Sequence, residues 1–600
     1  MKEIGSLAVI GSGPSALYFL YHLSQSAEDF RHSLDSITVF EKTSLAGYGM
    51  PYHPETTDRY NRANISSEEL PELPETFVAW LRKRNHAELE TWGIVEEEIS
   101  ESEVYCRLAL GKYFSEQFQR IVELFRNTGI PVDVRTSCSV DDIEEEEENR
   151  RTRLRTCTDG AELYDTVVIA TGHSWKGEDR AEEGFFSSPW PIFKLLPAPG
   201  EFLNHPVGTL GASLSAFDVI SSLSHRHGEF LSTDRGLIFK AYEGAEGFEL
   251  VMHAAEGWLP HLQWDQEEPL REIYRHVSRD AMLSLREQDG SLRIATYFDR
   301  VCRPALIDAF EKDEMDELVR LLRDEAFGFE DFVDEMTERH DYVDSFEGMR
   351  KELEEARDSV ENHRPIHWKE TLDDLMYCLN YHAELLPAED HVFLKGSVMP
   401  FLMNVIAAMP LQSATMLLGL HDAGKIRLVT GKVKIEGEGR EPGTTRVSVE
   451  SDRGQEEIEY RMFVDCSGQK PMDLDAFPFQ SLAKQGAVRE ARADFLNPVK
   501  AKEIDDEKLL LEDGVRRLRI GGIDVDAAFH IIGQDGTANP RIFDLSFPHT
   551  SGVRPYSYGL QACNATAEIV VRTWRDDIGA GQSEEASLRE VSRTYDGDRT

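Results

Sequence analysis

The sequence predicts an α/β fold: two interleaved Rossmann-like units, each with a parallel sheet, and a helical insertion between their parts. Three observations carry this. The chain opens on strand, glycine turn, helix, strand and acid, from Leu7 to Glu41. Two later apolar strands end in a small residue, a hydroxyl residue and a glycine, at Ala170-Thr171-Gly172 and Cys466-Ser467-Gly468. Between about Asp265 and Leu386 glycines become sparse and apolar residues recur at three- and four-residue spacing, as in Met315-Leu318-Leu321-Leu322, which is a helical period.

In the opening series, Leu7-Ala8-Val9-Ile10 is a short apolar run. Gly11-Ser12-Gly13-Pro14-Ser15-Ala16 follows, then a helix from Leu17 to Leu23, and Ile37 to Phe40 closes on Glu41. Each part suits a dinucleotide. Gly11 permits a tight turn, Gly13 lets the backbone approach a pyrophosphate, and Ala16 lets the helix pack on the strand. The helix N-terminus offers N–H groups and partial positive charge to the phosphates. Glu41 lies 28 positions after Gly13 (41 − 13), where a carboxylate can accept both ribose hydroxyls. Pro14 and Ser15 complete the turn and Lys42 follows the acid, so they join the candidate contacts.

Gly47-Tyr48-Gly49-Met50-Pro51-Tyr52 is a rigid, unbulky loop that can lie flat on a planar ligand. Phe77, Trp80 and Leu81 read as core. The acidic run Asp141 to Glu148 reads as a solvated hairpin tip. Thr152 to Cys157 and Leu163 to Ile169 read as strands around a turn at Asp159-Gly160. His173, just past the Ala-Thr-Gly ending, is the first candidate for a catalytic base.

Val207 to Asp218 repeats strand, turn and helix with a GxSxxA pattern. A nicotinamide dinucleotide could use Gly211 and Ser213; the alternative is a second α/β unit without a ligand. Lys395 to Pro410 reads as a return to glycine turns. Near the end Asp544 closes a strand, Ser551-Gly552 follows, and a helix is predicted from about Ser557 to Val571. An acid there could hold a ribityl chain or pyrophosphate beside a helix N-terminus. The segments are therefore 1–200 and 516–575 for the first Rossmann-like domain, 201–264 and 391–515 for the second, 265–390 for the insertion, and 576–600 for a disordered tail.

Composition bounds the setting. Asp and Glu number 110 against 65 Lys and Arg, a formal net charge of −45. That repels nucleic-acid phosphates, and it suits a halophilic or salt-accumulating source. The longest apolar run, Val398 to Leu411, is broken by Pro400, Asn404 and Pro410 and is too short to span a bilayer, so no membrane partner is expected. No leader pattern precedes the first strand, and a cytoplasmic protein is expected. The seven cysteines include no CxxC pair, so neither a dithiol flavin–disulfide reductase nor a zinc ribbon is supported, and their scatter fits a reducing compartment. His363, His367 and His382 show no metal-ligand spacing, and no metal is assigned.

The order of motifs resembles the FAD-NAD(P)-binding family of two-dinucleotide flavoproteins, with the lysine and ornithine N-hydroxylases as distant relatives. The residues that carry it are Gly11 to Ala16, Gly47 to Tyr52, Asn64, Arg107 with Gly111 and Tyr113, Ala170 to His173, and Gly211 to Asp218. The resemblance implies two Rossmann-like dinucleotide-binding domains. It implies FAD held by Gly11, Gly13, Ala16 and Glu41, with Thr171 and Gly172 nearby and Gly49, Pro51, Tyr52, Asn64 and Arg107 contributing. NAD(P)H is implied at Gly211 and Ser213. The family's usual closing Gly-Asp is absent, since Leu545-Ser546 follows Asp544. The implied activity is an oxidoreductase on a small-molecule substrate, either a monooxygenase or a reductase. A flavin-binding scaffold or redox sensor, its insertion docking a partner, stays open beside it. Substrate and oligomeric state stay open too.

Overall fold

The structure is a computed structural model that describes residues 4–146, 150–158, 160–173, 177–233, 236–340, 342, 344–452, 454–469 and 472–580. Two parallel sheets organise it. In chain order their strands are β1 (Gly5–Ile10), β2 (Leu34–Phe40), β3 (Val132–Arg135), β4 (Thr166–Ile169), β5 (Phe185–Phe186), β6 (Pro206–Leu210), β7 (Glu249–Ala254), β8 (Ile426–Thr430), β9 (Phe463–Asp465), β10 (His530–Ile532) and β11 (Ala538–Asp544). The first sheet has the order β10-β11-β4-β1-β2-β3, and the second β8-β7-β6-β9-β5. Every pairing is parallel except β10 with β11.

The chain leaves the first sheet after β4, builds the second, and returns with β10 and β11 to finish the first. That is the interleaving the two matching strand endings predict. The units also repeat each other in detail. A three-stranded antiparallel sheet precedes β4 (Val140–Glu146, Arg151–Thr156, Ala161–Tyr164), and another precedes β9 (Lys432–Glu438, Thr445–Ser451, Gly454–Tyr460). Interior strands of the two sheets are buried on both faces, as a sheet covered by helices demands: Leu7, Ala8 and Val9 in β1, Val207 in β6 and Leu250 to Met252 in β7.

The helices that matter for the site are α1 (Pro14–Gln25), α2 (Arg107–Thr128), α3 (Leu214–His227), α4 (Leu411–Asp422) and α5 (Leu560–Ala580). Helix α1 packs on α5, where Phe19 meets the Trp574 ring edge-on at 5.3 Å. The insertion lies between β7 and β8 as short helices from Arg279–Ser284 onward. Phe310, Leu318, Leu322 and Phe332 form part of its dry interior, and Arg293 pairs with Asp390 at 2.8 Å.

Three expectations change. Helix does not give way to glycine turns at Lys395: a π-helical turn, Leu394–Val398, runs into Met399–Ile406. Pro400 comes just after the π-helical turn, and its missing N–H interrupts the helical hydrogen-bond ladder there. Second, Asp141 to Glu146 is strand rather than a hairpin tip. Ile143 anchors it in the core, Arg155 pairs with Asp142 and Glu144, and Arg541 with Glu145, so the charges are matched locally. Glu147, Glu148 and Asp159 lie outside the described residues. Third, α5 continues through Ala580, past the expected start of the tail at Asp576; residues 581–600 lie outside the described residues.

Buried histidines give the fold an acid limit. His253 in β7 is 0 % exposed, 2.9 Å from the Tyr460 hydroxyl, and burial pushes its pKa down to about 4. The unfolded chain, near 6.5, binds a proton that the folded chain refuses. Stability is therefore complete above pH 6.5 and falls as pH drops toward 4. A shift of this size is worth about 3 kcal/mol. The urea midpoint is expected to fall over that window, and His253→Gln to flatten part of the fall; an identical pH profile for the variant would overturn the assignment.

Candidate functional site

Both sheets present a glycine turn at the carboxyl end of a central strand, and the turns are built alike. Gly11 has φ +106°, and a Cβ there would lie 2.4 Å from the Ala170 carbonyl oxygen at the end of β4. Gly211 has φ +105°, and a Cβ there would lie 3.0 Å from the Cys466 carbonyl oxygen at the end of β9. In both places glycine is required by the neighbouring strand ending and by a left-handed φ. This corrects the sequence expectation for Gly211, whose missing side chain faces protein backbone rather than a phosphate.

Gly13 is the N-cap of α1, with Pro14 in the first turn and no side chain capping the helix. A Cβ on Gly13 would lie 3.0 Å from Gly49 Cα, and one on Gly49 would lie 2.7 Å from Pro14 Cδ. The Gly47 to Tyr52 loop thus lies directly over the start of α1. Ala16 is buried under the helix, and Ser15 Oγ faces Cys563 Sγ of α5 at 3.3 Å. Gly111 is spoken for by the loop: a Cβ there would lie 2.2 Å from the Tyr52 carbonyl oxygen.

Glu41 ends β2 beside this turn and is 8 % exposed. Ser12 Oγ donates to its Oε2 at 2.6 Å, and the Thr43 N–H donates to Oε1 at 2.8 Å. Ser12 in turn accepts the Gly47 N–H at 2.9 Å, which ties acid, turn and loop together. With both oxygens engaged, a grip on two ribose hydroxyls has to compete with Ser12 and Thr43. Lys42 is exposed. Ser12 escaped the sequence reading because a serine between two turn glycines carries no signal of its own.

The endings of β4 and β9 meet. His173 Nδ1 lies 2.9 Å from Gln469 Oε1; a carboxamide oxygen only accepts, so His173 is the donor. Burial lowers the His173 pKa, and the Phe547 ring lies 6.4 Å away. Thr171 Oγ1 is 3.1 Å from Ser546 Oγ, joining β4 to the segment after β11. Gly172 faces open space. Gln469 and Ser546 are legible only once the two sheets are in place.

Three candidates are committed elsewhere. Asp544 is 0 % exposed, 2.7 Å from His549 Nδ1, and accepts the Ser546 N–H at 2.9 Å; it braces the turn after β11 and offers no surface to a ligand. Gly552 is buried against another strand, where a Cβ would lie 1.9 Å from the Gly521 carbonyl oxygen. Arg107, at the start of α2, pairs with Asp218 of α3 at 2.7 Å and donates to the Arg62 carbonyl at 3.0 Å, clamping the two units. Burial raises the Asp218 pKa to about 7, and Arg107 opposes that rise. Asn64 is exposed and lines a cavity of about 50 Å³ with Arg271 and Asp373 of the insertion. Ser213, the N-cap of α3, is exposed and its hydroxyl caps nothing in the helix.

The insertion region also gathers His261, His340 and Glu352, with ligand-type atoms all within 4.8 Å of one another. Spacings of about 80 and 90 residues hid this group. Lys369 Nζ lies 2.7 Å from Glu352, and the two imidazoles stack at 3.8 Å. A buried ammonium already balances the carboxylate, so the group is an ion pair flanked by stacked histidines rather than a donor set presented to a cation.

Residues 8–174 match the model of the FAD-NAD(P)-binding family. Residues 279–406 match the YdhS-like middle domain. Among particular proteins the chain is similar to the uncharacterized protein YdhS of Escherichia coli strain K12, 29 % identical over 488 residues, covering 81 % of this chain and 86 % of that one. Solved structures with a like course include the ornithine hydroxylase PvdA of Pseudomonas aeruginosa, with TM-score 0.48 and 11 % identity over 95 % of this chain and 98 % of that one. Another is the ornithine N-hydroxylase KtzI of Kutzneria sp. 744, with TM-score 0.46 and 12 % identity over 97 % and 100 %. No residue role or substrate passes to this chain from likenesses at that level. Among the described residues no helix is long and apolar enough to cross a membrane.

Proposed function

We propose that this chain is an FAD- and NAD(P)H-dependent oxidoreductase acting on a small molecule, as a monooxygenase or a reductase. The observation that carries the reading is the His173–Gln469 contact, which brings the ends of both parallel sheets, each with its own glycine turn, to one junction. FAD fits the first turn: α1 begins uncapped at Gly13 and a buried carboxylate stands at the neighbouring strand end. Gly13 and the α1 amides would hold its pyrophosphate, and Glu41 its ribose. Ser213 and the α3 amides would hold the nicotinamide cofactor's phosphates. Bound there, FAD would supply two-electron redox chemistry between a nicotinamide and oxygen or an organic acceptor.

The protein's own part is orientation and proton handling. His173 is neutral at pH 7 because burial disfavours its charged form, and with Nδ1–H given to Gln469 its Nε2 is the basic nitrogen. It is the proposed base. The acidic composition supports a salt-rich setting, and the dispersed cysteines a reducing one.

The test is anaerobic addition of NADPH or NADH to the FAD-loaded protein, followed by oxygen. Bleaching of the flavin by one nicotinamide, then oxygen uptake, is the result expected of a monooxygenase. Bleaching with slow reoxidation by oxygen selects a reductase. A flavin that ignores both nicotinamides rejects the enzyme reading in favour of a scaffold.

A further inference from the structure

A further cavity lies apart from the α3 turn. A cavity of about 240 Å³ opens where the Arg59 to Arg62 strap, the end of α3 and the start of α4 meet. It flanks His225, 12 positions after Ser213 (225 − 213), roughly 18 Å further along the helix at 1.5 Å per residue, so the α3 turn does not extend into it.

Its lining is aromatic and cationic. Tyr60 stacks on His225 at 3.9 Å and 15°, and Arg59 lies 5.2 Å from the Tyr60 ring centroid. Trp92, stacked on Trp80 at 5.5 Å, and Phe230, 4.9 Å from the His225 ring, also line it. His225 is held by the Ser221 carbonyl at 2.8 Å, and burial keeps it neutral, so the positive charge comes from the arginines. Arg62 is partly balanced by Glu103 at 3.7 Å. Arg59 has no ion-pair partner among the described residues, in a chain with 110 acids to 65 bases. Gln412 donates to Glu103 through Nε2, and its buried Oε1 has no hydrogen-bond partner among the described residues.

We propose that this cavity binds a single-ring aromatic anion, with the ring among Tyr60, Trp92 and Phe230 and the anionic group on Arg59 and Arg62. Arginine pairs with a carboxylate or a phosphate through parallel N–H donors, and aromatic faces hold a planar ring. The volume is below the roughly 300 Å³ low end of drug-sized clefts, which favours one ring over a dinucleotide.

The test uses the FAD-loaded full chain with NADP+ at saturation, titrated calorimetrically with benzoate, phenyl phosphate and inorganic phosphate. One aromatic anion is expected to bind one to one, with Arg59→Glu weakening it at least 10-fold and Tyr60→Ala doing likewise, at unchanged flavin content and melting temperature. Tighter phenyl phosphate identifies a phosphate monoester as the source, and tighter benzoate a carboxylate. The proposal is overturned if neither aromatic binds at millimolar concentration, if inorganic phosphate binds as tightly as phenyl phosphate, or if binding survives Arg59→Glu unchanged.

Discussion

Glu41→Arg is expected to yield a protein that purifies without FAD. The carboxylate sits at the end of β2, buried, with Ser12 and Thr43 holding its two oxygens. A guanidinium there removes the proposed ribose acceptor and places a cation among groups that donate hydrogen bonds. Because Ser12 also holds Gly47, the variant disturbs the loop as well as the acid. Glu41→Gln separates the two effects, since it keeps the shape and one acceptor oxygen while giving up the charge. A hydrogen bond to a charged group is worth about 1.5–3 kcal/mol, so reconstitution of the apoprotein is expected to weaken by roughly 10- to 100-fold in the glutamine variant. Flavin absorbance per polypeptide and the Kd for FAD are the readouts. A fully yellow Glu41→Arg with a wild-type Kd removes Glu41 from the cofactor site.

The parts legible in the sequence are the local ones. A glycine turn between an apolar strand and a helix forces a backbone geometry that its own residues announce, and Gly11 and Gly211 both sit there with nearly equal φ. The two Ala-Thr-Gly-like endings announce where the chain leaves each sheet. Long-range commitments were not legible. Arg107 carries a charge that suits a phosphate, yet it faces Asp218 more than a hundred positions away. Asp544 ends a strand as a cofactor acid does, yet His549 and the Ser546 amide take its carboxylate. Glycine identity misled in one respect as well. It marks close approach, but at Gly211 and Gly552 what approaches is the chain itself. The acidic stretch from Asp141 reads as solvent-facing by charge alone, because Arg155 and Arg541, which neutralise it, come from elsewhere in the sequence.

That correction decides how the second dinucleotide turn is best tested. A bulky residue at Gly211 would press on the Cys466 carbonyl and force an L side chain into a left-handed φ, so it would injure the fold whether or not a ligand binds there. Ser213 is the better position. It is exposed, extended in backbone, and N-caps a 14-residue helix without spending its hydroxyl on that helix. Ser213→Glu adds a negative charge at the positive end of α3, which a helix tolerates or welcomes, so stability is expected to hold. The same charge repels an incoming phosphate at the place where the α3 amides would receive it. FAD content and reduction by dithionite are expected to match the wild type, while reduction by NADPH or NADH slows at least 100-fold at fixed concentration, about 2.7 kcal/mol in transition-state terms. Ser213→Ala, which removes one donor and adds no charge, is expected to slow it only a few-fold. Wild-type reduction rates in Ser213→Glu place the nicotinamide away from α3, and loss of FAD in that variant makes the turn a structural part of the first domain's site.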